Sequence, residues 1–96
     1  MGISVEIYTK RNCAYCQRAK DLLRIKGVAF VEHDITNDLL KASEMRQRSQ
    51  RHTVPEIFVN NALIGGCPEL FDLDEQGVLD SMLGFDFPPG ATFQPA

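Results

Sequence analysis

The chain has 96 residues, of which 44% are hydrophobic, and a formal net charge of −3, so we expect one compact domain with a sizeable core and no nucleic-acid partner. No apolar run approaches the roughly 20 residues that a membrane-spanning helix needs, and the N-terminus has no signal-peptide pattern. Three cysteines are too few, and odd in number, for a secreted disulfide scaffold. We therefore expect a cytoplasmic protein without a membrane anchor.

The N-terminal part of the chain is predicted to form a strand followed by a helix. Residues 3–8, ISVEIY, alternate apolar and polar side chains, which is typical of a strand. Residues 14–26 have helical spacing, and Gly27 is expected to end that helix. One face of the helix is expected to collect Tyr15, Ala19, Leu22, Leu23 and Lys26.

A second strand and a second helix are expected next. Residues 28–35, VAFVEHDI, are rich in β-branched and aromatic side chains and predict a strand. Either Thr36 or Asn37 is expected to cap a helix that runs to about Ser49. A helix between the first two strands favours a parallel pairing of those strands.

The next segment predicts a hairpin followed by a helix. Residues 55–66, PEIFVNNALIGG, carry two short apolar runs on either side of Asn60-Asn61, a two-residue hairpin signal. Cys67 is expected to cap the following helix, with Pro68 in its first position. We expect the helix to be interrupted at Gly77.

These elements predict an α/β protein with the order β-α-β-α-β-β-α, in which a small four-stranded mixed sheet is flanked by helices. Residues 1–84 form the expected domain. Residues 85–96 contain three phenylalanines, three prolines and one glycine, and are expected to form an irregular tail.

The segment RNCAYCQRAK places Cys13 at the start of the first helix. The first N–H groups of a helix lack intrahelical partners, and the helix dipole adds partial positive charge there. Lys10, Arg11 and Arg18 lie close in sequence, and such surroundings favour a thiolate over a thiol. We therefore expect Cys13 to be partly or largely ionised at neutral pH and to act as the nucleophile. Cys16, one helical turn later, is within reach of a disulfide and is the expected resolving thiol.

Two other interpretations of the cysteine pair remain open at this point. A zinc site usually has four ligands, and only Cys67, His33 and His52 are available to complete one, at spacings that do not suggest it. We therefore expect no metal. A buried, inert pair is disfavoured because polar residues surround the two cysteines, whereas a C-x-x-C near a βαβ pattern is typical of thioredoxin-like redox proteins.

Three separated features, YTKRNCAYCQRAK, TVPEIFVNNALIGGC and the order of elements between them, resemble dithiol glutaredoxins of the bacterial type. The similarity runs from about Ile3 to Leu83. The resemblance implies a thioredoxin fold and glutathione-dependent reduction of protein disulfides and glutathione mixed disulfides. It implies Cys13 and Cys16 as the redox pair.

The resemblance also implies a glutathione site. In the family, the Thr-Val-Pro loop contains a cis proline, its valine backbone pairs with glutathione like an added strand, and a helix N-terminus receives the γ-glutamyl end. Arg48 is the expected partner of the glycine carboxylate. The residues that match the glutathione site are Lys10, Tyr15, Arg48, Thr53, Val54, Pro55, Gly66, Cys67 and Glu69.

The sequence departs from the family pattern at several positions. Ala14 stands where the commonest dithiol motif has proline, and Gln50 stands where relatives often have glycine. Pro68 and Glu69 replace two acids that often follow Gly-Gly-Cys. Because Pro68 has neither a charge nor an N–H group, these replacements are expected to affect glutathione affinity.

The sequence therefore predicts a glutathione-disulfide oxidoreductase without a permanently bound cofactor, with glutathione as co-substrate. We expect a cytoplasmic monomer whose partners are glutathione and proteins that carry disulfides or glutathionyl groups. Two alternatives within the fold are a redoxin that thioredoxin reductase regenerates and a carrier of a glutathione-ligated [2Fe–2S] cluster. The second cysteine of the pair counts against the cluster carrier, because such carriers mostly have one active-site cysteine.

Overall fold

The structure is a computed structural model that describes residues 3–85 of the chain. The predicted tail therefore lies, apart from Phe85, outside the described residues. The strands are β1 (Val5–Thr9), β2 (Val31–Asp34), β3 (Glu56–Val59) and β4 (Ala62–Gly65). The helices are α1 (Ala14–Ile25), α2 (Leu39–Ser49), α3 (Cys67–Glu75) and α4 (Val78–Met82).

The four strands form one mixed sheet in the order β2-β1-β3-β4. β1 pairs parallel with β2 and antiparallel with β3, and β3 pairs antiparallel with β4. This arrangement confirms the predicted mixed sheet and the element order. The expected interruption at Gly77 (φ 76°) separates two helices, α3 and α4.

Each face of the sheet carries its own hydrophobic cluster, because side chains alternate along a strand. On one face, α1, α3 and α4 pack against β1 and β3. On the other face, α2 packs against Tyr8 and Phe58. The first cluster contains Val5, Ile7, Ala19, Leu22, Leu23, Ile57, Val59, Leu70, Leu79 and Leu83.

Several local predictions were wrong in detail. The second strand covers four residues rather than eight. The N-cap of α2 is Asp38, whose side chain accepts the N–H of Lys41, and not Thr36 or Asn37. Tyr15 is 59% exposed and does not share the buried face of α1.

The start of α3 also differs from the prediction. Gly66 occupies the N-cap, so that Cys67 and Pro68 are the first two residues of the helix. Glu69, at the third position, accepts the Gly66 N–H at 2.7 Å. A Glu at this position satisfies one of the donors that a helix start leaves unpaired. The prediction of Cys67 as the N-cap was therefore wrong by one residue, since the N-cap is Gly66.

Two turns use left-handed backbone conformations. Asn60 and Asn61, at φ 50° and 67°, form the predicted two-residue connection between β3 and β4. Gln50 closes α2 at φ 60°, a conformation that glycine adopts without steric cost. A glycine would therefore fit this position without strain, whereas Gln50 occupies it with some strain.

A polar network lies on the α2 face of the sheet. The Arg48 guanidinium donates to both carboxylate oxygens of Glu6, at 3.0 and 2.9 Å, and to the Tyr8 hydroxyl at 2.7 Å. Its central carbon lies 4.0 Å from the centroid of the Phe58 ring. Tyr8 in turn donates to Glu44. Arg48 is thus held against the sheet by an ion pair, a hydrogen bond and a cation–π contact.

Substitution of Leu23 tests the packing of the larger cluster. Leu23 has no exposed surface, and we expect Leu23→Ala to lower the free energy of unfolding by about 2–5 kcal/mol because it leaves a cavity. Leu40→Ala is the matched control, since Leu40 is 84% exposed, and should change the free energy by less than about 0.5 kcal/mol. Urea unfolding measures both. Equal losses would contradict the burial described above.

Candidate active site

Cys13 is positioned by the turn between β1 and α1. The chain leaves the central strand β1 at Thr9, reverses through Asn12 in a left-handed conformation (φ 56°) and enters α1 with Cys13 as N-cap. The Cys13 Sγ accepts the backbone N–H of Cys16 at 3.2 Å. The sulfur thus occupies the place where a helix start presents unpaired N–H groups and partial positive charge.

The two cysteines of the pair have unequal surroundings. Cys13 is half-buried, whereas Cys16 is 1% exposed and both are free thiols. Burial, followed by a hydrogen bond with Cys13, raises the pKa of Cys16 to about 12, although a backbone hydrogen bond with Lys10 acts in the opposite direction. Cys16 is therefore a thiol at neutral pH, and of the two sulfurs Cys13 is the accessible one.

A cavity of about 330 Å³ opens next to Tyr15, which stands between the two cysteines in sequence, although neither Cys13 nor Cys16 is among its lining residues. The Val54–Pro55 peptide bond at its wall is cis, as the resemblance implied. The cavity is lined by Tyr15, Arg51, Thr53, Val54, Pro55, Glu56, Gly66, Cys67, Pro68 and Glu69. The loop before β3 and the first turn of α3 thus face each other across the cavity, with Tyr15 of α1 at its side.

Charged side chains from both walls meet at this cavity. The Arg51 guanidinium donates to Glu69 Oε1 at 2.8 Å, and its Nη1 atom lies 3.8 Å from Glu56 Oε1. The Gly66 N–H holds the pKa of Glu69 below its usual range, and the ion pair with Arg51 adds to this effect. Glu69 therefore binds the helix start and the guanidinium at the same time.

The third cysteine also lines the cavity. Burial raises the pKa of the Cys67 thiol, Arg18 lowers it, and the nearby Cys13 and Glu69 raise it further. Cys67 is 4% exposed. These surroundings keep Cys67 a neutral thiol at the first turn of α3, close to Cys13.

The structure brings together most of the residues that the sequence predicted for this site. Tyr15, Thr53, Val54, Pro55, Gly66, Cys67 and Glu69 line the cavity. Lys10 is exposed in the loop before Cys13 and is not among the lining residues. Arg48 is not brought there either, because its guanidinium is bound to Glu6 and Tyr8.

Sequence reasoning missed Arg51 and Glu56. Arg51 is the last basic residue of the chain and stands two positions before Thr53, which was the available signal. Glu56 follows Pro55 in a strand whose other residues are apolar. An acidic residue in an otherwise apolar strand was the sequence feature that indicated a buried carboxylate with a structural or functional role.

Within residues 3–85, no group of three or more His, Cys, Asp or Glu side chains is arranged to hold a metal ion. The same part of the chain contains no helix that is both long enough and apolar enough to span a bilayer.

Comparison with known proteins connects this geometry with one family. The family model described as Glutaredoxin matches residues 5–64. Glutaredoxin 3 of Escherichia coli (strain K12) is 52% identical over 80 residues, which cover 83% of this chain and 96% of the relative. A probable glutaredoxin of Synechocystis is 50% identical over 80 residues, or 82% of this chain and 73% of the relative.

Solved structures agree with this assignment. The solution structure of a Brucella melitensis glutaredoxin is 44% identical, with a TM-score of 0.75, and the match covers 85% of this chain and 89% of that one. The crystal structure of a buckwheat glutaredoxin–glutathione complex has a TM-score of 0.77 at 25% identity, covering 83% of this chain and 76% of that one. The thioredoxin fold, the cysteine pair at the start of α1 and these relatives lead to one conclusion. This chain belongs to the glutaredoxin family and is a thiol–disulfide oxidoreductase.

Proposed function

We propose that the protein is a glutathione-dependent oxidoreductase that reduces glutathione mixed disulfides and protein disulfides. One observation carries this proposal: an accessible N-cap sulfur, Cys13, stands two residues before Tyr15, which lines a cavity together with Val54 and the start of α3. The first feature suits attack on a disulfide. The second suits a short, anionic, extended peptide. The buckwheat relative that was solved with glutathione supports the same ligand class.

The reaction with a glutathionylated substrate requires only Cys13 and glutathione. The Cys13 thiolate attacks the glutathionyl sulfur, a new disulfide forms between Cys13 and glutathione, and the substrate leaves as a thiolate that takes a proton from water. A second glutathione thiolate then attacks the glutathionyl sulfur. Glutathione disulfide leaves and Cys13 is a thiolate again, so that two electrons pass from glutathione to the substrate.

Reduction of a protein disulfide uses both cysteines. The Cys13 thiolate attacks one substrate sulfur, a mixed disulfide forms, and the other substrate sulfur leaves as a thiolate that takes a proton from water. Cys16 loses its proton to water and attacks the Cys13 sulfur, which forms the Cys13–Cys16 disulfide and releases the second substrate thiolate. Two glutathione molecules then reduce that disulfide and leave as glutathione disulfide. Cys16 is buried next to Cys13 and its N–H already contacts the Cys13 sulfur. Its raised pKa means that it is deprotonated only as the mixed disulfide is resolved, which suits a resolving thiol rather than an initiating one.

We assign the ends of glutathione to opposite walls of the cavity. The backbone of Val54 pairs with the cysteinyl part, Thr53 and cis Pro55 shape that edge, and Tyr15 borders the sulfur. Lys10, in the exposed loop before Cys13, pairs with a glutathione carboxylate, as the resemblance implies. Gly66, Cys67 and Glu69 receive the γ-glutamyl end, where the Glu69 carboxylate suits its ammonium group. Arg51, which lines the cavity, is the partner for a glutathione carboxylate, in place of Arg48.

Serine substitutions of the two cysteines test the assigned roles. We expect Cys13→Ser to abolish reduction of a glutathionylated peptide, because no nucleophile remains. Cys16→Ser should retain turnover of the same order as the unsubstituted protein, because the glutathione cycle does not use Cys16. The assay couples glutathione, NADPH and glutathione reductase. Equal loss in both variants would refute the roles, and activity only with thioredoxin reductase would favour the thioredoxin-linked alternative.

Two arginine variants distinguish Arg51 from Arg48. We expect Arg51→Gln to raise the KM for a glutathionylated peptide about two- to fivefold, as loss of a partly exposed ionic contact does, with kcat little changed. Arg48→Gln should lower the Tm by a few degrees, because it breaks the network with Glu6 and Tyr8, and should leave the KM near the original value. The reverse pattern would show that Arg48 holds the carboxylate.

A further inference from the structure

Glu56 is a buried acid in the wall of the cavity. It has no exposed surface, and its Oε2 atom accepts the Thr53 hydroxyl at 3.0 Å. Its Oε1 atom has no hydrogen-bond donor within residues 3–85. Leaving a carboxylate oxygen buried and unpaired is costly. A protein tolerates such an unpaired oxygen where the acid has a function or where an opposite charge lies nearby.

The charged groups around Glu56 come from three directions. Arg51, in the loop after α2, lies 3.8 Å from Oε1, beyond hydrogen-bond range but close enough for a Coulombic attraction. Glu69, at the start of α3, shares the same guanidinium at 2.8 Å. Across the sheet, Tyr8 of β1 stands opposite Glu56, and its hydroxyl donates to Glu44. Two carboxylates therefore depend on one cation.

The two acids differ in how firmly they hold a negative charge. Glu69 accepts a backbone N–H as well as the guanidinium, and its pKa is lowered. Burial raises the pKa of Glu56, which the Thr53 hydroxyl and the Arg51 charge only partly offset, and the Glu69 charge adds to the rise. When an additional negative charge enters the cavity, Glu56 is therefore the acid that accepts a proton.

We propose that Glu56 is a positioning residue that takes up a proton from solvent when a carboxylate of glutathione engages Arg51. The inference rests on the proposed function above and adds a linkage to it. With the ligand bound, three carboxylates would share one guanidinium, and the buried Oε1 of Glu56 would lose the attraction of Arg51. Protonation removes that charge, frees Arg51 for the ligand and lets the Thr53 hydroxyl remain bound to Oε2.

The direction of the pH dependence follows from this linkage. Bound ligand shifts Glu56 toward its neutral form, so neutral Glu56 must favour bound ligand to the same extent. Binding should therefore weaken as the pH rises through the range in which free Glu56 ionises. A glutamine at this position cannot ionise, and it should bind glutathione more tightly than the original residue at the high end of that range.

Carboxyl carbon NMR on the Cys16→Ser protein tests the proposal directly. One sample carries glutathione on Cys13, and the matched control carries a neutral methylthio group on the same sulfur, with both adducts verified by mass. We expect the Glu56 titration to move to higher pH in the glutathione adduct. An identical titration in the two adducts would overturn the inference and leave the proposed function intact. Failure of Cys13 to accept glutathione would overturn both.

Kinetics provide the second test, without a label. We expect the KM for a glutathionylated peptide to rise with pH as Glu56 ionises, at a pH above the usual range of a glutamate carboxyl because burial raises the Glu56 pKa. The same rise is expected in the control Glu75→Gln, which removes an exposed charge. The rise should be smaller in Glu56→Gln, with kcat unchanged. If Glu56→Gln raises the KM equally at every pH, Glu56 only supports the loop and the inference is wrong. If Glu56→Gln does not fold, the NMR titration decides.

Discussion

The start of helix α1 is the constraint on which the activity depends. Cys13 is the N-cap, and its sulfur accepts the N–H of Cys16, a donor that no backbone carbonyl in the helix can satisfy. The same turn places Cys16 three residues later inside the helix, where it is buried and its pKa is raised. One local geometry therefore makes the Cys13 sulfur accessible and keeps the Cys16 sulfur buried. The different roles proposed for Cys13 and Cys16 rest on that asymmetry.

Two arginines that lie three residues apart have different surroundings. Arg48 and Glu6 form a bidentate ion pair on the α2 face, supported by Tyr8 and Phe58. Arg51, only three residues later, forms its ion pair at the cavity. Because Gln50 ends α2 in a left-handed conformation, the chain turns away from the network before Arg51. The backbone turn thus separates a structural arginine from one available to a ligand.

Polar groups on the α3 side of the cavity already have partners within the protein. Pro68 has no N–H to offer a ligand, and Glu69 already accepts the Gly66 N–H and the Arg51 guanidinium. Under the proposed function, a glutathione molecule would compete with contacts that the protein makes on its own. With Glu56 buried nearby, the cavity contains more acid than base. The charge balance of the cavity, rather than its shape, is expected to set the affinity and its dependence on pH.

The sequence by itself determined the order of elements, the Asn60-Asn61 turn and the cysteine pair at a helix start. These features depend on local backbone preferences and on hydrophobic periodicity, which short segments carry. The resemblance supplied Thr53, Val54 and Pro55, and the structure places them at the cavity.

Only the tertiary structure decided which charges meet. The sequence does not show which of Arg48 and Arg51 is available to a ligand, because their partners Glu6 and Glu69 lie far away in the sequence. The burial of Glu56 likewise depends on the start of α3, Thr53 and Arg51, which lie far from or next to it in sequence and surround it only in the fold. The exposure of Tyr15 depends on which face of α1 packs against the rest of the protein. Contacts between distant segments determine the electrostatics of this site, whereas local backbone preferences place the Cys13 sulfur at the start of α1.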